Sequence, residues 1–149
     1  MKPITLLQPQ KIVFGTGCIE KLREDYLSMG YKRLFIVTLP FMLPAIKETA
    51  DTLEASGVTV GYYTEICSEP SVADFKKALK KAQEFKADSF LGIGGGSILD
   101  ITKLVSTLIE SEHKIEDLFG IGLIHAKGKW FACIPTTSGT GSEVSPNAI

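Results

Sequence analysis

The sequence is short of the residues that build metal and disulfide sites. Its 149 residues include only two histidines and three cysteines, and none of the cysteines Cys18, Cys67 and Cys133 has the paired spacing of a zinc site. An odd number of widely spaced cysteines does not indicate a disulfide framework, so we expect reduced thiols in the core. Because His113 and His125 stand apart from each other, we predict no metal site in this chain.

The sequence also lacks an excess of charge and long apolar runs. Sixteen basic and seventeen acidic residues leave a net charge of −1, so we expect neither a nucleic acid nor an acidic membrane surface as partner. No stretch approaches the roughly 20 apolar residues of a membrane span, and residues 1–8 contain no run of signal-peptide length. We therefore expect a soluble cytoplasmic protein, and the apolar ending at residues 147–149 indicates an interruption.

What the sequence does contain is a regular alternation of strand and helix patterns. Short apolar runs predict strands at residues 12–14, 34–37, 58–63, 88–93 and 130–134. Apolar residues at helical spacing follow each of the first four runs. This alternation predicts an α/β fold, with a Rossmann-like, mostly parallel sheet covered by helices on both faces.

A glycine-rich turn follows the strand predicted at residues 88–93. In a parallel sheet, ligands bind beyond the carboxyl ends of the strands, and that place is occupied by Gly94, Gly95, Gly96 and Ser97. Glycine lets a phosphate approach the backbone and permits positive φ. The turn matches neither the G-x-G-x-x-G pattern nor the Walker A pattern, and a tight strand-to-helix connection is the alternative to a phosphate site.

The residues after the glycine turn have their own alternative. Ser97 and Asp100 fit a capping pattern, in which Asp100 only caps the helix, and Lys103 is then a solvated side chain.

A hydroxyl-rich segment follows the last predicted strand. Residues 135–143, PTTSGTGSE, contain five hydroxyl side chains and two glycines. Hydroxyls and glycine amides can donate hydrogen bonds to a pyrophosphate or a ribose without adding charge. The alternative is a polar loop whose Ser and Thr side chains bond to its own backbone.

Together, these motifs resemble those of the iron-containing, or group III, alcohol dehydrogenases. The resemblance rests on GGGSILDITK at 94–103, on PTTSGTGSEV at 135–144 and on the early F-G-x-G at 14–17. It implies that residues 1–149 are a dinucleotide-binding domain of the dehydroquinate synthase-like type, and that a helical, metal-binding C-terminal domain is absent from this chain. Fe²⁺ or another divalent ion is then expected only with that missing domain.

The resemblance also implies which residues contact the cofactor. The turn from Gly94 to Ser97 is implied to hold the pyrophosphate of NAD or NADP. The adenosine half is implied to lie near Thr136, Thr137 and Thr140, and the nicotinamide side near Asp100 and Asn147.

Leu39 is a departure from the family pattern. It stands where many NAD-using members carry an acidic residue that bonds the adenosine ribose and repels a 2′-phosphate. Leucine offers neither the bond nor the repulsion, so the resemblance leaves both NAD and NADP open.

The function implied is hydride transfer between NAD(P) and a small alcohol or aldehyde, with this chain as the cofactor-binding half, inactive alone. The partners expected are the nicotinamide cofactor and the small substrate, and a homodimer is left open. Two alternatives remain at this point. One is a glycerol dehydrogenase-like member of the wider superfamily, and the other is a stand-alone nucleotide-binding module without chemistry.

Overall fold

A computed structural model of the protein describes residues 8–66, 69–120, 123–124 and 128–148. Its strands are β1 (Arg33–Thr38), β2 (Thr59–Tyr63), β3 (Ser89–Gly94) and β4 (Trp130–Pro135), and its helices are α1 (Ile19–Met29), α2 (Leu43–Ala55), α3 (Val72–Phe85) and α4 (Gly96–Leu108). Short 3₁₀ turns lie at Pro40–Met42 and Ile115–Leu118. All strand pairs are parallel, and the sheet order is β2-β1-β3-β4, which confirms the predicted α/β architecture.

Helices cover both faces of the sheet, because neighbouring residues of each strand point to opposite sides. In β1, Leu34 and Ile36 pack with residues of α1 and α2, whereas Phe35 and Val37 pack with residues of α3 and α4. All four side chains are at most 2% exposed. A strand buried on both faces reads as a continuous apolar run, which is why this pattern predicted a parallel sheet. None of the helices among the described residues combines the length and apolar character that a membrane crossing requires.

The sequence prediction is wrong near the N-terminus. Ile12, Val13 and Phe14 belong to no strand, and their exposed fractions are 63%, 44% and 100%. The expectation of core thiols is also wrong for Cys18, which is exposed at the start of α1. Cys133 is partly buried in β4, and Cys67 lies outside the described residues. Three apolar residues in a row do not make a strand by themselves, and no strand among the described residues pairs with this segment to complete its hydrogen bonds.

The chain reverses direction across the sheet between β1 and β3. From β1 it passes through α2 to β2 on one side, and from β3 it passes through α4 to β4 on the other. The two connections therefore diverge at the carboxyl ends of β1 and β3, where Thr38 pairs with Ile93 and its hydroxyl donates to the Ile93 carbonyl at 2.9 Å. Such a divergence opens the crevice in which sheets of this kind bind ligands.

Helix α4 lies unusually close to β3. A Cβ atom added to Gly92 would lie 2.6 Å from the Thr102 hydroxyl oxygen, so only glycine fits beneath the helix at this position. The Thr102 hydroxyl is itself fully buried and donates to the Ile98 carbonyl at 2.7 Å. The contact thus fixes the distance between the helix and the strand from which it emerges.

We expect the substitution Gly92→Ala to lower the free energy of unfolding by about 1–3 kcal/mol, because an added methyl group must displace α4. Urea denaturation measures this change. The double variant Gly92→Ala with Thr102→Ala lacks the obstructing hydroxyl. Its loss in free energy of unfolding should therefore be smaller than the sum of the losses in the two single variants. Equal stability of Gly92→Ala and the unmodified chain contradicts the close packing.

Candidate functional site

The glycine turn joins β3 to α4 at the sheet crevice. Gly94 ends the strand, Gly95 is the N-cap residue with an extended backbone (φ −77°, ψ −178°), and the helix begins at Gly96. None of these three glycines has a positive φ, so the conformational freedom expected of them is not used. Their function in the fold is close approach: a Cβ atom on Gly94 would lie 2.7 Å from the Ile98 side chain.

The start of α4 carries no side-chain cap. The capping pattern considered for Ser97 and Asp100 is wrong, because the N-cap is Gly95, and glycine has no side chain that could accept a hydrogen bond. The hydrogen-bond ladder of the helix begins with the amides of Ile98 and Leu99, which donate to the Gly95 carbonyl at 3.0 and 3.2 Å. The amides of Gly96 and Ser97 precede this ladder and lie at the positive end of the helix dipole, which is favourable for an anion.

The hydroxyl-rich segment lies directly on the glycine turn. The Thr136 amide donates to the Gly94 carbonyl at 2.9 Å, which continues the pairing of β3 with β4. A Cβ atom on Gly95 would lie 3.1 Å from the Thr137 hydroxyl oxygen. The Thr136 and Thr137 side chains are otherwise exposed, so their hydroxyls remain accessible beside the turn.

The second half of the segment packs on the first turn of α4. A Cβ atom on Gly96 would lie 3.0 Å from the Ser142 hydroxyl oxygen and 3.4 Å from the Thr140 Cβ. Thr140 is exposed and stands between Gly139 and Gly141, whose φ angles are +92° and +68°. Positive φ therefore occurs in this loop rather than in the glycine turn. The two sequence motifs, about forty residues apart, form one surface.

Asp100 connects the helix to this loop. One of its carboxylate oxygens accepts a hydrogen bond from the Ser142 hydroxyl at 3.3 Å, and the other lies 2.8 Å from the Lys103 ammonium nitrogen. The side chains of Asp100 and Lys103 are 14% and 9% exposed. Asp100 is thus not a cap and Lys103 is not a solvated lysine.

Lys103 also binds the loop backbone. Its ammonium donates to the Ser142 carbonyl at 2.9 Å, to the Ser145 carbonyl at 3.3 Å and to the Asn147 carbonyl. The Asn147 side chain is exposed. Sequence reasoning missed Lys103 and Ser142 as site residues, although the i,i+3 spacing of Asp100 and Lys103 places both on one helix face.

Leu39 and Ser97 occupy the two sides of the crevice. Leu39 follows β1 directly, is partly buried, and packs against the apolar cluster beneath α3 and α4. Ser97 is the second residue of α4 and is partly exposed. Every residue that the sequence assigned to the cofactor therefore lies at the carboxyl end of β1, β3 or β4, or on the helix turn and loop that follow.

Metal-ligating side chains do not gather in the same way. Within the described ranges, no three side chains of His, Cys, Asp or Glu lie together as a metal site requires. His113 is exposed in the loop after α4, and His125 lies outside the described residues.

A groove of about 680 Å³ is lined in part by Ser106, Glu110 and Lys129, at the C-terminal end of α4. Since α4 runs antiparallel to the strands, this groove lies at the opposite edge of the sheet from the crevice.

Comparison with known proteins shows similarity along nearly the whole chain. The family profile "Iron-containing alcohol dehydrogenase" matches residues 9–149. Among curated proteins, the chain is 37% identical over 138 residues to a sulfoacetaldehyde reductase of Bilophila wadsworthia, covering 91% of this chain and 36% of that protein.

Solved structures share the fold. An alcohol dehydrogenase from Oenococcus oeni matches with a TM-score of 0.90 and 29% identity, over 98% of this chain and 39% of that one. NADH-dependent butanol dehydrogenase A from Thermotoga maritima matches with a TM-score of 0.83 and 27% identity, over 97% and 37%. The chain thus spans between 36% and 39% of the length of these three proteins.

Cys133 lies in β4, close to the charged side chains of Asp100, Lys103 and Glu143. Burial raises the pKa of its thiol to about 12, against the lowering effect of the nearby Lys103 ammonium. The carboxylates of Asp100 and Glu143 raise that pKa further by disfavouring the thiolate. Because the thiolate is the nucleophile, we expect Cys133 to react slowly at neutral pH.

We expect iodoacetamide to alkylate Cys133 at least a hundredfold more slowly than the exposed Cys18 at pH 8, with peptide mapping by mass spectrometry as the measurement. A thiol with a pKa of about 12 is ionised in roughly one molecule in ten thousand at pH 8, so the rate should rise about tenfold per pH unit up to pH 10. In urea the burial is lost and the two rates should converge. Equal rates in the folded chain contradict the buried thiol.

Proposed function

Because the chain belongs to the iron-containing alcohol dehydrogenase family, we propose that it binds a nicotinamide dinucleotide across the crevice between β1 and β3. The observation that carries this proposal is the contact of the glycine turn with the hydroxyl-rich loop at the point where the chain reverses direction across the sheet. A dinucleotide has two phosphates flanked by two riboses, and this surface offers backbone amides beside a row of hydroxyls.

The pyrophosphate is proposed to lie on the turn from Gly94 to Ser97. The amides of Gly96 and Ser97 precede the helix ladder, and the dipole of the 13-residue helix α4 adds partial positive charge at the same place. Dipoles and amides suit a chain with a net charge of −1, since no cluster of cations is needed to hold the anion. The exposed hydroxyls of Thr136, Thr137 and Thr140 are proposed to donate to the adenosine half.

The nicotinamide is proposed to lie toward Asp100 and Asn147. The Asp100 carboxylate is held in one orientation by Ser142 and Lys103, so it presents a fixed acceptor at the edge of the site. When bound, the nicotinamide ring accepts or donates a hydride at C4. The contribution of these residues is to orient the ring relative to the substrate.

Residues 1–149 are further proposed to form the dinucleotide-binding domain of a longer enzyme that transfers a hydride between NAD(P) and a small alcohol or aldehyde. Support comes from two relatives whose names give sulfoacetaldehyde and butanol as substrates. Both proteins are more than twice as long as this chain. The described residues do not fit a metal ion, because no ligand set is assembled among them. We therefore expect the metal ligands on the rest of that enzyme. A cytoplasmic location stays an expectation from the sequence, which leaves a homodimer open.

We expect the substitution Ser97→Asp to raise the Kd for NADH about tenfold or more, as measured by the enhancement of NADH fluorescence. The new carboxylate stands beside the proposed pyrophosphate, and like charges about 4–5 Å apart near a protein surface repel by roughly 1–4 kcal/mol. Aspartate is favourable in the first turn of a helix, so the fold should persist.

The matched control is Ser97→Asn, which has nearly the same shape and no charge, and its Kd should change less than about threefold. If both variants and the unmodified chain have the same Kd for NADH, the pyrophosphate does not lie on this turn. The absence of saturable NADH binding by the unmodified chain contradicts the proposed function itself. Hydride transfer by the isolated chain contradicts the assignment of the catalytic metal to another part of the enzyme.

Leu39 provides a separate test of the adenosine end. We expect Leu39→Asp to raise the ratio of the NADPH Kd to the NADH Kd about tenfold, because its carboxylate can bond the ribose and repels a 2′-phosphate. Leu39→Asn removes the same apolar contact without adding charge, so its ratio should stay near that of the unmodified chain. Equal ratios for the Asp and Asn variants place the adenosine ribose away from Leu39.

A further inference from the structure

Lys103 is a buried cation whose partners are mostly backbone carbonyls of another segment. It extends from the middle of α4, and its side chain is only 9% exposed. Three of its four close partners are the carbonyls of Ser142, Ser145 and Asn147, and the fourth is the Asp100 carboxylate. An ammonium has three hydrogens to donate, so these four acceptors share all of them.

The segment that Lys103 binds directly continues the hydroxyl-rich loop. After Gly141 the chain makes a single tight turn, in which the amides of Val144 and Ser145 donate to the Gly141 carbonyl at 3.1 and 2.9 Å. The turn brings the carbonyls at 142, 145 and 147 to one point, which is occupied by the Lys103 ammonium. Carbonyls that converge in this way repel one another unless a cation lies between them.

The Asp100 carboxylate does not by itself require this arrangement. An ion pair between Asp100 and Lys103 at i,i+3 spacing forms within α4 alone and needs no loop. The three carbonyl bonds are therefore an additional function of the ammonium, because they cross from the helix to residues about forty positions later in the chain. Removal of the ammonium leaves these carbonyls partly buried without a donor, which is costly.

We propose that Lys103 is a positioning residue that holds residues 142–147 against α4 and thereby keeps the hydroxyl-rich loop on the glycine turn. The consequence for the dinucleotide rests on the proposed function: the half of the site formed by Thr136, Thr137 and Thr140 is in place only while the loop is fastened at its far end. Lys103 acts through the loop backbone and contacts no cofactor atom in this scheme.

The first experiment needs no cofactor. In Lys103→Met, which keeps the length of the side chain and loses the ammonium, amide hydrogen exchange at Val144 and Ser145 should accelerate at least tenfold, while amides of α3 keep their rates. Lys129→Met is the matched control, because Lys129 forms its ion pair with Glu110, beyond the C-terminal end of α4. Unchanged exchange at Val144 and Ser145 in Lys103→Met overturns the proposal.

The second experiment measures the Kd for NADH. If the loop of Lys103→Met is in place a tenth of the time, its Kd rises about tenfold, since the apparent affinity falls with the competent fraction. Val105→Ala removes buried apolar contacts from the same helix, so it lowers stability and should leave the Kd unchanged. An equal rise of the Kd in Val105→Ala indicates a merely structural effect and overturns the positioning role.

Two further results separate the possible failures. If the unmodified chain binds no NADH, the proposed function fails and the cofactor consequence of Lys103 fails with it, whereas the exchange result still decides whether Lys103 fastens the loop. If Lys103→Met does not fold, the double variant Asp100→Asn with Lys103→Met leaves no unpaired buried carboxylate. Its exchange at Val144 and Ser145 is then compared with that of Asp100→Asn alone, and equal rates overturn the proposal.

Discussion

The structure depends on how closely other parts of the chain approach the backbone at the end of β3. Gly92, Gly94, Gly95 and Gly96 form an almost side-chain-free strip, and a Cβ atom at each would lie 2.6–3.1 Å from a neighbouring side chain. Helix α4 packs on the first two, and the hydroxyl-rich loop packs on the last two. A methyl group at Gly92 or Gly94 would lie less than 3.0 Å from a side chain of α4, so the helix or that side chain would have to shift.

This arrangement is how a nearly neutral domain could present the anion site that we propose. The favourable charge comes from backbone dipoles at the start of α4, and the carboxylate of Asp100 beside it is balanced by Lys103. The ammonium of Lys103 donates to backbone carbonyls of the loop, so it stabilises the loop against the helix and does not point toward the proposed anion. Fixed dipoles need no reorganisation when a ligand enters, which suits the cofactor site that we propose.

Much of the fold was predictable because burial leaves a local periodic pattern in the sequence. The strands at β1 to β4 and their covering helices follow from runs such as Leu34 to Val37, in which both faces are apolar. The run at residues 12–14 has the same local character, but strand formation depends on a neighbour that a local pattern does not contain. The place of the glycine turn and the hydroxyl-rich loop was likewise predictable, since carboxyl ends of parallel strands share one edge.

The finer contacts were not predictable for a different reason. Ser97 and Asp100 match the sequence pattern of a capping motif, yet β3 ends at Gly94 and the helix begins at Gly96 with Gly95 as its N-cap. Packing sets this register. Lys103 binds main-chain carbonyls, which every residue possesses, so no pattern of side chains marks its partners. Sequence motifs predicted the place of the proposed site, whereas the three-dimensional arrangement shows which contacts join the loop to the helix.

Gly139 and Gly141 differ in kind from the glycines of the strip. Nothing lies within 4 Å of where their Cβ atoms would stand, but their φ angles of +92° and +68° belong to the mirror image of the conformations that L-amino acids prefer. The constraint on these positions is therefore one of handedness and not of volume. D-alanine, introduced by chemical synthesis, prefers φ angles of this hand, so it should restrict the loop around Thr140 more than glycine does.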